Sequence, residues 1–160
     1  MRYRFLALRW LALVTMAVWL GGFTFYSAVV VPALEEVMGK VAAGESVTRF
    51  VTVPLNQIAW LTVGVWTVLA MTEWRLGPKW LRLARAALIA IDGVTLAWMH
   101  LTHGVLGRML DSGTKNGFYT LHERYLIAST VQWGANLALI ALSLAVWQAG
   151  DRAASEARGA

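Results

Sequence analysis

The sequence predicts an all-α, polytopic membrane protein built as an antiparallel four-helix transmembrane bundle. Three observations carry that expectation: the composition, four long apolar runs, and the placement of positive charge. Of 160 residues, 58% are hydrophobic and 14% charged, against roughly 45–50% and about 25% in ordinary globular domains. Nine tryptophans suit a chain with two membrane–water boundaries, where the indole ring has one apolar and one wet side. The absence of cysteine excludes a disulfide, a thiolate metal site and a cysteine nucleophile. A net charge of +5 comes without a basic stripe interleaved with aromatics, so lipid and not nucleic acid is the expected partner.

The apolar runs cover residues 10–34, 51–72, 86–106 and 125–148. Each has the length of about 20 residues that a helix needs to cross roughly 30 Å of hydrocarbon. With their flanks they predict helices over about 5–38, 46–72, 82–110 and 118–149, one domain over 1–150, and a short flexible tail over 151–160. The first run follows the basic MRYR but extends past the length of a signal-peptide core, so it is expected to be retained. Pro32 should bend helix 1 and Gly39 should stop it. Ser46 is placed to cap helix 2, which should kink at Pro54. Helix 3 should end near Asp111-Ser112-Gly113, with Asn116-Gly117 turning into helix 4. Short connections make consecutive helices antiparallel neighbours. Gly21, Gly22 and Gly64 are expected at close helix approaches. Trp19 and Trp98 should be packing residues, and Trp74 and Trp80 boundary anchors.

Orientation follows from the Lys and Arg count: nine fall in the N-terminal tail, the second loop and the C-terminal tail, and five on the other side. The positive-inside rule puts both termini in the cytoplasm. The charge-dense EWRLGPKWLRLAR loop supplies most of the difference.

The third run, DGVTLAWMHLTHGVL at its polar end, carries Asp92, His100 and His103. Ionisable groups inside a span are costly and therefore either shielded or used. At 100° per residue, Asp92 and His103 lie only about 20° apart around the helix, and His100 about 80° from Asp92. On the fourth helix His122, Ser129, Asn136 and Ser143 recur every seven residues with Gln132 beside them, the mark of a face turned to another helix. Aligned through the short connection, Asp92 falls level with Asn136 or Leu137, and His100 level with Ser129. Asn56 and Gln57 on the second helix approach the same outer half.

Three readings of this cluster follow. In one, Asp92, Asn136, Ser129 and His100 hold helices together by hydrogen bonds, with the aspartate neutral for want of a cation in its span. In the second, His100, His103 and His122 bind copper, zinc or haem iron, because imidazole suits all three and His-x-x-His shares a helix side. In the third, Asp92 and the histidines form a proton or solute path.

One stretch carries a resemblance. Trp19-Leu20-Gly21-Gly22, with Phe25 and Pro32 after it, resembles the first helix of copper-resistance protein D-like membrane domains. It is similar also to a related set of small four-helix bacterial proteins, domain of unknown function 4149. Copper-resistance relatives often carry a histidine just before this core, where this chain has Ala12-Leu13-Val14. The resemblance implies the fold and a bacterial inner membrane more strongly than an activity, and the departure at Ala12-Leu13-Val14 weakens the carry-over of a copper site.

There is no phosphate-binding loop, no serine nucleophile paired with a base, and no HExxH zinc signature. The expected function is a non-enzymatic integral membrane protein of unknown specific role, and the sharper hypothesis is that it binds a metal ion or haem at the histidines. The alternative is an accessory subunit of a larger membrane complex or of a homo-oligomer.

Overall fold

In a computed structural model the backbone of residues 2–38, 40–113 and 116–159 is described, with side chains over 5–38, 50–113 and 116–156. Every element among the described residues is helical: α1 (Arg2–Phe25), a π-helical segment (Tyr26–Val30), α2 (Val31–Met38), α3 (Lys40–Thr72), α4 (Lys79–Asp111) and α5 (Phe118–Gly159). The expected stop at Gly39 lies outside the described residues.

Three helical stretches are long and apolar enough to cross a membrane: Phe5–Met38, Phe50–Thr72 and Phe118–Glu156. Helix α4 is long enough, but its buried Arg85 and Asp92 and its two histidines make it less apolar than the expectation of four equivalent spans assumed. Within the three spans only 28–33% of the most apolar window is buried. Residues such as Leu6, Trp10, Phe25 and Leu101 face outward while polar side chains turn in, the reverse of a helix on a water-soluble core.

Pro32 acts one turn earlier than a simple bend. Proline has no N–H, and its ring crowds the carbonyl four residues back, here that of Ala28. The chain widens into π turns over Tyr26–Val30, and the Val31 N–H reaches the Tyr26 carbonyl. Pro54 is carried inside α3 without ending it. Ser46 is no cap, because α3 already runs from Lys40. Helix α4 starts at Lys79, behind an extended Pro78, and not at 82; Gly77 makes the turn before it at φ +73°. Residues 151–159 continue α5 as helix, unlike the irregular tail expected. Their Ala, Arg and Glu are strong helix formers, and Ser155 Oγ donates to the Asp151 carbonyl at 3.0 Å.

Helix α1 packs on α3, α3 on α4, and α4 on α5, while α1 meets α5 more sparsely. The four long helices thus stand in the cyclic order α1, α3, α4, α5. Trp66 Nε1 donates to the Ala12 carbonyl at 3.0 Å, and Thr62 Oγ1 to the Thr15 carbonyl at 3.2 Å. Residue numbers therefore fall along α3 as they rise along α1. Trp66, Met16, Leu69 and Leu139 form the main apolar core, and Trp19, buried against Ala59 and Leu96, a second one. Trp98 is 38% exposed and is not a core residue. Trp74 and Trp80 are exposed at the end where α3 passes into α4.

Of the three glycines expected at close approaches, only Gly22 is at one: a Cβ there would lie 3.1 Å from Leu55 Cδ2. Gly21 and Gly64 face open space. Gly21→Ala is expected to stabilise by up to about 1 kcal/mol through helix propensity. Gly22→Ala should gain less, because Leu55 must shift. Thermal unfolding of both variants in detergent checks the difference in order.

Candidate functional site

Two buried polar centres lie at different levels of the helix assembly. The first joins α4 and α5. The seven-residue polar repeat on α5 places Ser129, Asn136 and Ser143 on one face, all buried, with Gln132 beside them. Asp92 on α4 is 1% exposed and accepts a hydrogen bond from Asn136 Nδ2 at 3.1 Å. The same amide donates to the Gln132 carbonyl at 2.8 Å, which fixes its orientation. Asp92 therefore meets Asn136, as the alignment through the short connection predicts.

Other members of the expected cluster are placed differently. Ser129 Oγ donates to the Leu126 carbonyl of its own helix at 2.8 Å; it makes no bond to His100. Gln57 is exposed, whereas Asn56 is buried. Asn56 Nδ2 donates to Tyr125 Oη at 3.5 Å, and the His103 ring lies 6.3 Å from the Tyr125 ring. Tyr125, overlooked in the sequence, thus links α3, α4 and α5 at this level. Its signal was its place at the start of an apolar run, seven residues before Gln132.

The three histidines are not brought together. His100 is exposed on the outer side of α4, His103 lies beside Tyr125, and His122 stacks on Phe118 with ring centroids 5.8 Å apart. Among the described residues no three His, Asp or Glu side chains are grouped so as to hold a metal ion. Spacing on one helix put His100 and His103 on neighbouring sides. It carried no information about which side α5 covers.

The second centre is one the sequence reading missed. Glu73, just past the end of α3, is 2% exposed. One carboxylate oxygen accepts from Arg9 Nε of α1 at 2.5 Å. The other accepts from Arg85 Nη1 of α4 at 3.1 Å and from Trp147 Nε1 of α5 at 2.9 Å. The Arg9 guanidinium also lies over the Trp147 ring, 4.9 Å from its centroid, in a cation–π contact. All four long helices meet at this one carboxylate. Desolvating each ion costs several kcal/mol, and that cost is offset only where geometry and hydrogen bonding are good. Read as loop charges, Arg9 and Arg85 only oriented the chain. The usable signal was that each stands directly against an apolar run, as the acid Glu73 does at the same end.

Two shallow hollows are open to the outside. One, of about 330 Å³, runs along the sparse α1–α5 seam past Thr24, Ala28 and Trp133. There Trp133 Nε1 donates to Thr24 Oγ1 at 3.1 Å. The other, of about 360 Å³, lies against the end of α5 near Gln148 and Arg152.

The α4–α5 centre has a measurable consequence. Asn136→Ala is expected to destabilise the protein by about 0.6–2 kcal/mol, the range for hydrogen bonds between membrane helices. Asp92→Asn keeps the shape and an acceptor oxygen and should cost less. Unfolding titrations with a denaturing detergent give both values.

No protein-family model, curated protein or solved structure matches this chain.

Proposed function

We propose that this chain is a non-enzymatic, four-helix antiparallel transmembrane protein that serves as an accessory subunit of a larger membrane assembly. Its two best-connected buried polar groups, Asp92 and Glu73, hold helix to helix. The observation that carries this reading is that each bonds across elements: Asp92 to Asn136, and Glu73 to Arg9, Arg85 and Trp147. Groups engaged in this way stiffen a scaffold and leave its outer surface for partners. Helix α4 is the fourth span. Its aspartate is covered by α5, as an ionisable residue in a membrane helix is expected to be. The Lys and Arg distribution supports cytoplasmic termini, and the resemblance of the first helix to bacterial membrane proteins supports a bacterial inner membrane. The spread of the three histidines favours this reading over a metal or haem site.

The test is the particle size after gentle solubilisation of native membranes, together with an absorption spectrum and elemental analysis of the pure protein. The accessory-subunit reading expects a particle heavier than a detergent-bound 17.6 kDa monomer, with neither a Soret band nor stoichiometric metal. A monomer in native membranes contradicts it. So does haem, copper or zinc that is lost in a His100/His103/His122 triple alanine variant.

A further inference from the structure

The centre around Glu73 holds more positive charge than its carboxylate balances. Arg85 is 3% exposed, and of its guanidinium nitrogens only Nη1 reaches Glu73, while Nε and Nη2 are buried with no hydrogen-bond partner. Arg82, one turn earlier on α4, donates from Nη1 to the Trp74 carbonyl at 2.9 Å, and its Nε is likewise buried and unpartnered. Arg9 is already engaged by Glu73. The guanidinium groups of Arg9 and Arg85 thus share one carboxylate, and three guanidinium nitrogens of Arg82 and Arg85 lack an acceptor. Buried donors left unsatisfied are uncommon in native proteins and call for a missing partner. A guanidinium is permanently charged, so it does not escape the cost by losing its proton.

We propose that Arg82 and Arg85 form a binding site for a phosphate group, supplied by the headgroup of an anionic lipid or by inorganic phosphate. Phosphate oxygens match the guanidinium fork in charge and in paired hydrogen-bond geometry. The position suits a headgroup. Arg85 and His103 are 18 residues apart on α4, about 27 Å at 1.5 Å per residue, close to the hydrocarbon thickness of roughly 30 Å. Arg82 therefore lies a turn further out, toward the phosphate layer. Exposed Trp10, Trp74 and Trp80 at the same end supply the aromatic belt of a membrane boundary. Release of Arg82 from the Trp74 carbonyl frees its Nη1, beside the already unpartnered Nε, for a ligand. The lipid arm rests on the membrane reading above; the inorganic phosphate arm does not.

The experiment uses the full chain, delipidated in a neutral detergent. Its unfolding temperature is followed as phosphatidylglycerol, an uncharged glycolipid with the same acyl chains, or inorganic phosphate is added. Phosphatidylglycerol is expected to raise the unfolding temperature and the glycolipid is not. A rise with inorganic phosphate as well assigns the site to the free anion; a rise with phosphatidylglycerol alone assigns it to the lipid. Arg82→Gln should weaken the apparent affinity about tenfold, in keeping with one or two lost charge-assisted bonds. Arg82→Lys, which keeps the charge but not the fork, should weaken it by a smaller factor and serves if Arg82→Gln fails to fold. Arg75→Gln removes an equal charge from an exposed position and should leave the affinity within about twofold, a change below 0.5 kcal/mol. The proposal is overturned by no rise with either phosphate source, by an equal rise with the glycolipid, or by Arg75→Gln weakening binding as much as Arg82→Gln. A chain recovered in the aqueous fraction without detergent would instead contradict the membrane reading.

Discussion

Glu73→Ala is expected to destabilise the protein by about 3–5 kcal/mol, because it leaves the buried Arg85 guanidinium without its counter-charge. Arg85 is 3% exposed, and Glu73 is its counter-charge. Arg9 is less constrained: its side chain is 19% exposed, so it can turn outward when Glu73 is removed. Arg9→Gln should therefore cost clearly less than Glu73→Ala. Replacing both Glu73 and Arg85 by methionine removes the buried charges together and should recover most of the loss, as apolar replacements of buried ion pairs often do. Unfolding titrations of the three variants give the order. A double variant no more stable than Glu73→Ala would mean that the pair itself contributes little and that local shape dominates.

Trp66→Ala is expected to cost about 3–5 kcal/mol, the usual range for emptying a large core site. The side chain is fully buried, and it packs among Ala12, Met16, Leu69 and Leu139 where α1 and α3 join the main core. In lipid there is little hydrophobic drive between helices, so such packing contacts hold them together. Trp66→Phe keeps most of the volume but loses the bond from Nε1 to the Ala12 carbonyl, and should cost about 1 kcal/mol. Thermal unfolding in detergent separates the two effects. Equal losses for both variants would place the weight on the hydrogen bond and not on the cavity.

The parts of this architecture that could be read from sequence are those set by local chemistry. Long apolar runs fixed where α1, α3 and α5 lie, and a short connection set the register that brings Asp92 to Asn136. Period seven on α5 identified the face that meets α4, because a side chain's direction on a helix follows from its number. What was not readable depends on contacts between elements distant in the chain. Glu73 accepts from Arg9, 64 residues away, and from Trp147, 74 residues away, and nothing in the local pattern around any of them specifies the others. The placement of the histidines was not readable for a related reason. Their spacing defines an angle around α4, but the position of α5 decides whether that angle faces protein or lipid, and for His100 it faces outward. Pro32 was recognised as a perturbation, while its form as π turns depends on how the freed carbonyls are accommodated.

We propose that four helices cross the bilayer, with α4 among them and its polar face sheltered by α5. Because the chain has no cysteine, single cysteines at Arg75, Asn116 and Asp151 can be labelled with a membrane-impermeant thiol reagent without background. All three positions are exposed. The prediction is that Asn116→Cys reacts in intact cells, while Arg75→Cys and Asp151→Cys react only after permeabilisation. Labelling of Asn116→Cys and Arg75→Cys from the same side would mean that α4 does not cross, and would contradict the account.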